Sequence, residues 1–350
     1  MNHVRNRAPG APPVVLRSLL ACALSCALSG LLAQAAAAEV VRFGKPVAGA
    51  FTFALLDVGV RAGIFKKHGL DLEISAFTGG TRLVQAETAG SIDIAFNTGP
   101  DMAMIFKGAP VRAVALVSDS PLDLCLLVRP DLPVGAPSDL KGKRITVSSP
   151  FAMTAWMTRE LSRQEGWGAE GIALVPSASR PAFALLKTKD VDGITTDLGT
   201  GLQAQKRGDA KVVVRFSERV KNLTMYVFFA SEKMIAEQPD TVRRFLVAWF
   251  DTVDYVAAHK GETLQVAREV TSHDEDILSE LYDPRAAADL AQRPLPAEIA
   301  RYAGGVLRRP QAAAGETGDG ADLYRAVPAE IAFGRGVPIR PSPPRALPPW

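Results

Sequence analysis

Apolar and polar residues alternate through Leu72, Ile74 and Ala76, the period of a half-buried strand. A turn of small residues follows at Thr78, Gly79, Gly80 and Thr81. Leu83, Val84, Ala86 and Ala89 then recur at helical spacing as far as Gly90. Ile92, Ile94 and Phe96 predict a second strand, stopped by Asn97, Thr98, Gly99 and Pro100. A right-handed crossover makes two such strands parallel. Both turns then fall at one edge of the sheet, the edge where open α/β sheets bind ligands.

The same pattern returns from Ile172 to Asp197. Ile172, Leu174 and Val175 predict a strand, Ser177 to Arg180 a polar turn, and Ala182, Leu185 and Leu186 a helix; a short strand starts at Val191 to Ile194. Locally, Gly90-Ser91-Ile92-Asp93 lies against Lys189-Asp190-Val191-Asp192. Two such units predict two α/β lobes that face each other across a ligand cleft.

Around these units the pattern predicts a strand at Val40–Phe43 and an apolar helix at Phe51–Val60. A helix end follows, with Gly69 just past its last turn and His68 solvated there. Further predictions are a helix at Asp101–Phe106 and strands at Val111–Val117, Leu124–Val128, Ile145–Ser148, Val212–Phe216 and Thr224–Phe229. Pro130, Pro133, Gly135 and Pro137 mark a first passage between lobes at 130–140. Ser149 reads as an N-cap with Pro150 at the first helical position. From Pro239 the apolar residues Val242, Phe245, Leu246, Trp249, Phe250 and Val253 form one helical stripe, expected to be core. The expected organisation is a signal at 1–38, a first lobe at 39–129 and 222–307, a second lobe at 130–221 and a poorly ordered tail at 308–350. That tail and its approach, beyond Asp283, carry nearly half of the chain's 25 prolines and no lysine.

A chain of 350 residues, 47% hydrophobic and 22% charged, has material for two packed domains. The net charge of +3 comes from Arg5, Arg7 and Arg17. Without residues 1–38, acids and bases balance, which argues against nucleic acid as partner. Those arginines, the apolar run Leu19–Leu32 and Ala36–Ala38 have the three parts of a cleavable secretory signal. An uncleaved membrane anchor, or a lipid anchor at Cys26, is the alternative. Removal of the signal leaves Cys125 alone, which excludes an intramolecular disulfide and marks it as a small buried hydrophobe.

Phosphate-loop, dinucleotide, zinc-helix, paired-cysteine and nucleophile-elbow motifs are missing. The histidines, His3, His68, His259 and His273, are scattered. The chemistry lies in strand-end turns rich in hydroxyl and amide groups: Thr78–Thr81, Asn97–Gly99, Ser118–Ser120, Ser148–Thr154 and Thr195–Asp197. Several precede helices, whose free N–H groups hold anionic oxygens without a buried lysine. Each alone is an ordinary cap or turn; five at one sheet edge in two lobes point to a cleft.

Several segments carry a family resemblance: Ala62-Gly63-Ile64-Phe65, His68-Gly69-Leu70-Asp71-Leu72-Glu73, Gly79-Gly80, Gly90-Ser91-Ile92-Asp93-Ile94-Ala95, Lys107-Gly108-Ala109-Pro110-Val111 and Asp139-Leu140-Lys141-Gly142-Lys143-Arg144-Ile145. In that order and spacing, Val40 to Asp283 resembles the periplasmic substrate-binding proteins of ABC transporters, in the nitrate/sulfonate/taurine branch that includes thiamine-precursor binders. The resemblance implies an α/β, two-lobe periplasmic binding protein fold (type II). Each lobe would be a mixed, mainly parallel sheet flanked by helices, with two passages between lobes. It implies a periplasmic, monomeric, non-enzymatic protein that needs no cofactor or metal. Such a protein delivers a small organic anion to an inner-membrane ABC permease.

Two departures stand out. Pro150-Phe151-Ala152-Met153-Thr154 replaces the family's small polar turn, which favours an organic ligand with an apolar body over nitrate. The Arg/Pro-rich tail replaces helices, as a shifted reading frame would. The expected ligand contacts are the helix starts at Gly80–Thr81 and Thr154 for the anion and Asn97 and Thr98 for hydrogen bonds, with Ser118 and Ser149 also at the site. Phe51, Phe151 and Met153 are expected to bound the apolar part, and Asp197 either receives an amine or hydroxyl or caps its helix. The rivals are a pyrimidine-precursor synthase-like enzyme, whose Cys/His-rich metal segment is missing here, and a periplasmic sensor or adaptor.

Overall fold

The computed structural model describes residues 38–98, 108–118, 120–177, 181–220 and 225–283. The predicted signal, the Asp101–Phe106 helix and the tail lie outside them. The first stretch runs β1 (Glu39–Lys45), α1 (Phe51–Arg61), α2 (Ile64–Lys67), β2 (Leu70–Ala76), α3 (Gly80–Thr88), β3 (Ile94–Thr98) and β4 (Val111–Ser118). The second runs β5 (Leu124–Val128), β6 (Arg144–Val147), α4 (Met153–Gln164), β7 (Ala173–Pro176), α5 (Ala182–Lys187), β8 (Gly193–Asp197), α6 (Leu198–Lys206), β9 (Lys211–Arg215) and α7 (Phe216–Arg219). The last has β10 (Tyr226–Ser231), α8 (Glu232–Glu237), α9 (Pro239–Ala258), α10 (Lys260–Thr271) and α11 (Glu275–Leu281).

The strands form two five-stranded sheets, in the orders β2-β1-β3-β10-β4 and β7-β6-β8-β5-β9. β1 is parallel to β3, and β6 is parallel to β7 and β8. The fourth strand of each sheet, β10 or β5, is antiparallel to both neighbours. Each is the strand that follows a passage from the other sheet.

The repeat read from the pattern therefore extends to whole sheets. In each unit β1 or β6 lies between the two strands. The likeness reaches individual bonds. Asp93 accepts the Arg42 N–H at 3.0 Å and pairs with its guanidinium, and Asp192 accepts the Arg144 N–H at 2.8 Å and pairs with that side chain. Gly90 and Lys189, each three residues before its aspartate, are both left-handed, at φ 75° and 61°. Glycine adopts that turn at no steric cost, and Lys189 holds it as a non-glycine residue.

The core of the first lobe is aromatic. Val242, Phe245, Leu246, Trp249 and Val253 of α9 are buried, as their spacing predicts, while Phe250 of the same stripe is half-buried. Phe245 stacks on Phe43 at 5.5 Å, and Phe228 meets Trp249 at 5.0 Å and Phe96 at 4.8 Å between ring centroids. Each such side chain contributes about 1.5–3 kcal/mol by burial, and each ring pair roughly 0.5–1.5 kcal/mol more.

Two expectations about the chain path are corrected. β5 belongs to the second sheet, so the first passage lies between Ser118 and Leu124, not at 130–140. The proline-rich stretch is packed instead. Val134 and Leu140 are buried, Asp139 accepts the N–H groups of Gly135 and Ala136, and Lys211 Nζ donates to the carbonyls of Leu132 and Val134. The 222–307 segment does not stay wholly on the first lobe. α10 packs on α1, and α11 bridges the lobes: its Leu278 packs with Phe51, Leu264 and Ala267, while Ile277 and Leu281 meet Leu198, Leu202 and Cys125 of the second lobe. Ion pairs of Lys206 with Asp274 and Asp276 fix that contact. A third passage thus follows α10 and turns at Ser272, at φ 60°. His68 ends α2 and is partly exposed there, as expected, and it also meets α9: its Nε2 lies 2.7 Å from Asp251 Oδ2.

Candidate functional site

A cleft of about 880 Å³ lies between the lobes. Its walls on the first lobe are the segment Pro46–Ala50, Phe53 of α1, the start of α3 and the end of β3. On the second lobe they are the ends of β6 and β8, the segment Ser148–Thr154 and the start of α5. Leu124, Met225 and Tyr226 line it from the first two passages. Apolar surface comes from Phe53, Leu124, Met153, Ile194 and Met225.

Both sheets deliver turns here because each parallel strand ends at this edge. On the first lobe, Gly79 leads into α3 with φ 106° and ψ 155°, a backbone conformation open essentially to glycine alone. It supplies no side-chain cap, and neither does Ala152, the cap residue of α4. The first N–H groups of both helices thus lack the side-chain acceptors that Asp197 gives α6 and Ser231 gives α8. The lobes touch at these two starts. Thr81 Oγ1 is 3.3 Å from Ser149 Oγ, and Gly79 lies against Ser148.

Eight of the eleven expected contact residues line the cleft: Gly80, Thr81, Asn97, Thr98, Ser149, Met153, Thr154 and Asp197. Some have local duties as well. Thr154 Oγ1 accepts the Ser148 N–H at 3.3 Å, and α4 starts at Met153 rather than just after Ser149. Asn97 is fully buried and its Nδ2 donates to Gly80 O at 3.2 Å, which ties β3 to the start of α3. Asp197 caps α6 by accepting the Thr200 N–H at 2.8 Å and still lines the cleft.

Three expected residues lie elsewhere. Phe51 opens α1, but its ring packs against Leu264, Ala267 and Leu278; Ala50 and Phe53 occupy the cleft-facing side. Ser118 ends β4 at the correct edge, but β4 is the outermost strand, two places from β3. Its hydroxyl closes a local turn, donating to Ser120 O at 2.7 Å. Phe151 is 82% exposed and projects from the turn before α4.

Behind the cleft, Asp123 holds the passages together. Thr52 Oγ1 of α1 donates to its carboxyl at 2.6 Å and Tyr226 Oη of β10 at 2.7 Å, while its carbonyl accepts the Leu198 N–H of α6 at 2.6 Å. Burial pushes the Asp123 carboxyl up to about 6; the hydroxyl bonds from Thr52 and Tyr226 oppose this and the Asp197 charge adds to it. The same burial, with Asp123 beside it, raises the Tyr226 phenol well above its ordinary value. Cys125 is the buried thiol its sequence context predicts, and burial raises it too. His273, on the third passage, is buried with Nε2 3.7 Å from Asp197 Oδ1.

A family model described as NMT1/THI5 like matches residues 50–263. The chain belongs to the NMT1/THI5-like family. A Brucella abortus (strain 2308) protein, named only as one taken to be a binding protein, is 25% identical over 248 residues, covering 70% of this chain and 76% of its own. The fold is that of the alkanesulfonate-binding protein SsuA from Xanthomonas axonopodis pv. citri, solved bound to MOPS. The TM-score is 0.63 at 17% identity, over 75% of this chain and 89% of that one. A ligand-binding component of an ABC-type import system from Staphylococcus aureus matches with a TM-score of 0.59 at 15% identity, over 71% and 84% of the two chains.

For a member of this family, the sequence pattern passed over Arg82, Thr146, Asp123, Tyr226 and His273. Arg82 is exposed on the first turn of α3 and, with Asp197, makes up the charged groups among the described lining residues. Its position three residues past Gly79 was the available signal. Asp123 had none, because its weight comes from partners 71 and 103 residues away.

Proposed function

We propose that the protein is the extracytoplasmic solute-binding component of an ABC importer. It captures a small organic anion, a sulfonate or carboxylate with an apolar body, between its lobes and delivers it to a membrane permease. One observation carries this: two helix starts without side-chain caps, α3 from one lobe and α4 from the other, meet at the same cleft. Helix N-termini attract anions through free N–H groups and the helix dipole, and Arg82 adds a cation at the same place. The apolar lining fits an organic body better than a hydrated inorganic ion. The fold shared with an import-system component supports the permease as partner, and the secretory pattern of residues 1–38 supports the periplasm.

Isothermal titration against aliphatic and aromatic sulfonates, carboxylates and pyrimidines tests this. At least one anion binds with Kd of about 10 μM or tighter, with a 1:1 stoichiometry. Arg82→Ala weakens it by about tenfold and flattens its salt dependence, because an exposed cation acts through screened attraction. Catalytic turnover of any panel member, or binding confined to uncharged compounds, would overturn the proposal.

A further inference from the structure

Resting on the reading that the lobes close on a ligand, we propose that the Asp123 carboxyl is a proton-sensitive element of the hinge. Ionised, it favours the closed mouth; protonated, it favours the open one, so acidification promotes release. A second groove, of about 250 Å³, lies behind the passages. Leu55, Trp249 and Phe250 of the first lobe form one wall, and Leu198 and Arg215 of the second lobe form the other. Three pairs of chain neighbours divide between the two openings. Phe53, Leu124 and Asp197 line the cleft, whereas Thr52, Asp123 and Leu198 line the groove. Tyr226 lines both. The layer between them is thus about one residue thick, and the first two passages run through it. Lobes that turn about strands lying between two openings widen one as they narrow the other. In the present conformation the mouth is in contact through Thr81 and Ser149, and the groove stands open. Opening the mouth presses the groove walls together around Asp123.

Asp123 is tied to both lobes. Thr52 Oγ1 and Tyr226 Oη donate to its carboxyl, and its carbonyl takes the Leu198 N–H. A hydroxyl oxygen also accepts, so the carboxyl keeps partners in either protonation state. The charged groups around it do not neutralise it. Asp197, at the end of β8, adds to the upward push. Arg215 of β9 is the cation among the described groove residues, and Glu280 of α11 engages it. Asp283 at the rim is a further carboxylate, and His273 of the third passage stands beside Asp197, at 3.7 Å. Cys125 and Tyr226, both pushed up by burial, stay neutral. An ionised Asp123 therefore draws further stabilisation from water, which a parted groove admits and a narrowed one expels; a neutral carboxyl has less to lose. Its proton leaves at about 6 in this conformation, and a narrower groove holds the proton more tightly. The open state then gains as pH falls.

Interlobe distances in the full chain test this without a ligand. Thr88→Cys at the end of α3 and Phe151→Cys before α4, both exposed positions, carry spin labels; Cys125 is buried and does not react. Pulsed electron paramagnetic resonance from about pH 7.5 to 4.5 reads the ratio of long to short distances. That ratio rises about tenfold on acidification if the open state holds the proton tenfold more tightly. Asp123→Asn, neutral throughout, keeps the acid ratio at every pH. Thr52→Val removes a donor that favours the charged form, so it moves the midpoint to higher pH; it decides the matter should Asp123→Asn fail to fold. A ratio that does not change, a shift of opposite sign, or the same shift in Asp123→Asn overturns the inference. The solute-binding reading falls on a different result, the failure of every anion to bind in the calorimetric panel.

Discussion

Asp123 is where a single residue has the largest reach. The folded protein keeps its carboxyl protonated up to about pH 6, whereas an unfolded chain releases that proton near pH 4. Between those values the folded state binds more protons, so this group's contribution to stability falls as pH rises and stays low above 6. Asp123→Asn removes the fall and keeps an acceptor for Thr52 or Tyr226. Urea unfolding from pH 4 to 7 should show the unsubstituted protein losing on the order of 2–3 kcal/mol relative to the variant; parallel curves would mean that the carboxyl titrates normally. Subtraction matters because Asp139, Asp274 and Asp276, held low by backbone or lysine partners, give the opposite slope at lower pH. Residue type was legible in the sequence, but direction was not. Gly80, Thr81 and Asn97 were placed by strand ends alone. Phe51 and Phe151 depend on which way a side chain leaves a helix start or a turn, and apolar character says nothing of that.

At the scale of elements, periodicity found most helices and strands, because the stripe on α9 and the alternation in β2 reflect one-sided burial. Strand order was not legible. That β1 lies between β2 and β3 is set by long-range pairing, which leaves no local trace. The misplaced passage has a similar cause: Pro133 and Pro137 look like linker residues, while the actual crossing near Pro121 is too short to shift the composition. The contact of α11 with the second lobe was not legible because α6 lies some 70 residues earlier. Its role can be tested. Ile277 is 4% exposed and packs with Leu198, Leu202 and Cys125. Ile277→Ala should cost about 2–5 kcal/mol and raise amide exchange in α6 more than in α9. A uniform rise, or none, would mean that α11 does not anchor the second lobe.

Over the whole molecule, three passages join two lobes that also touch at the mouth of the cleft. The direct contact is slight. The Thr81–Ser149 hydroxyl pair contributes roughly 0.5–1.5 kcal/mol, whereas moving a two-state equilibrium from 1:99 to 99:1 takes about 5.5 kcal/mol. On the proposed function, a ligand that touches both helix starts supplies the difference, and binding is then coupled to closure. If the mouth is the gate, locking it should trap the ligand. Thr81→Cys with Ser149→Cys places two sulfurs where oxygens now sit 3.3 Å apart, so a small rotation allows the bond. Cys125 does not compete, being fully buried with its thiol pushed up. Oxidation should form a disulfide between positions 81 and 149, identified by peptide mass. Ligand dissociation from the oxidised protein should slow at least about tenfold and recover on reduction. Formation of the disulfide with no change in dissociation would place the exit elsewhere, because the mouth would then be closed while ligand still left.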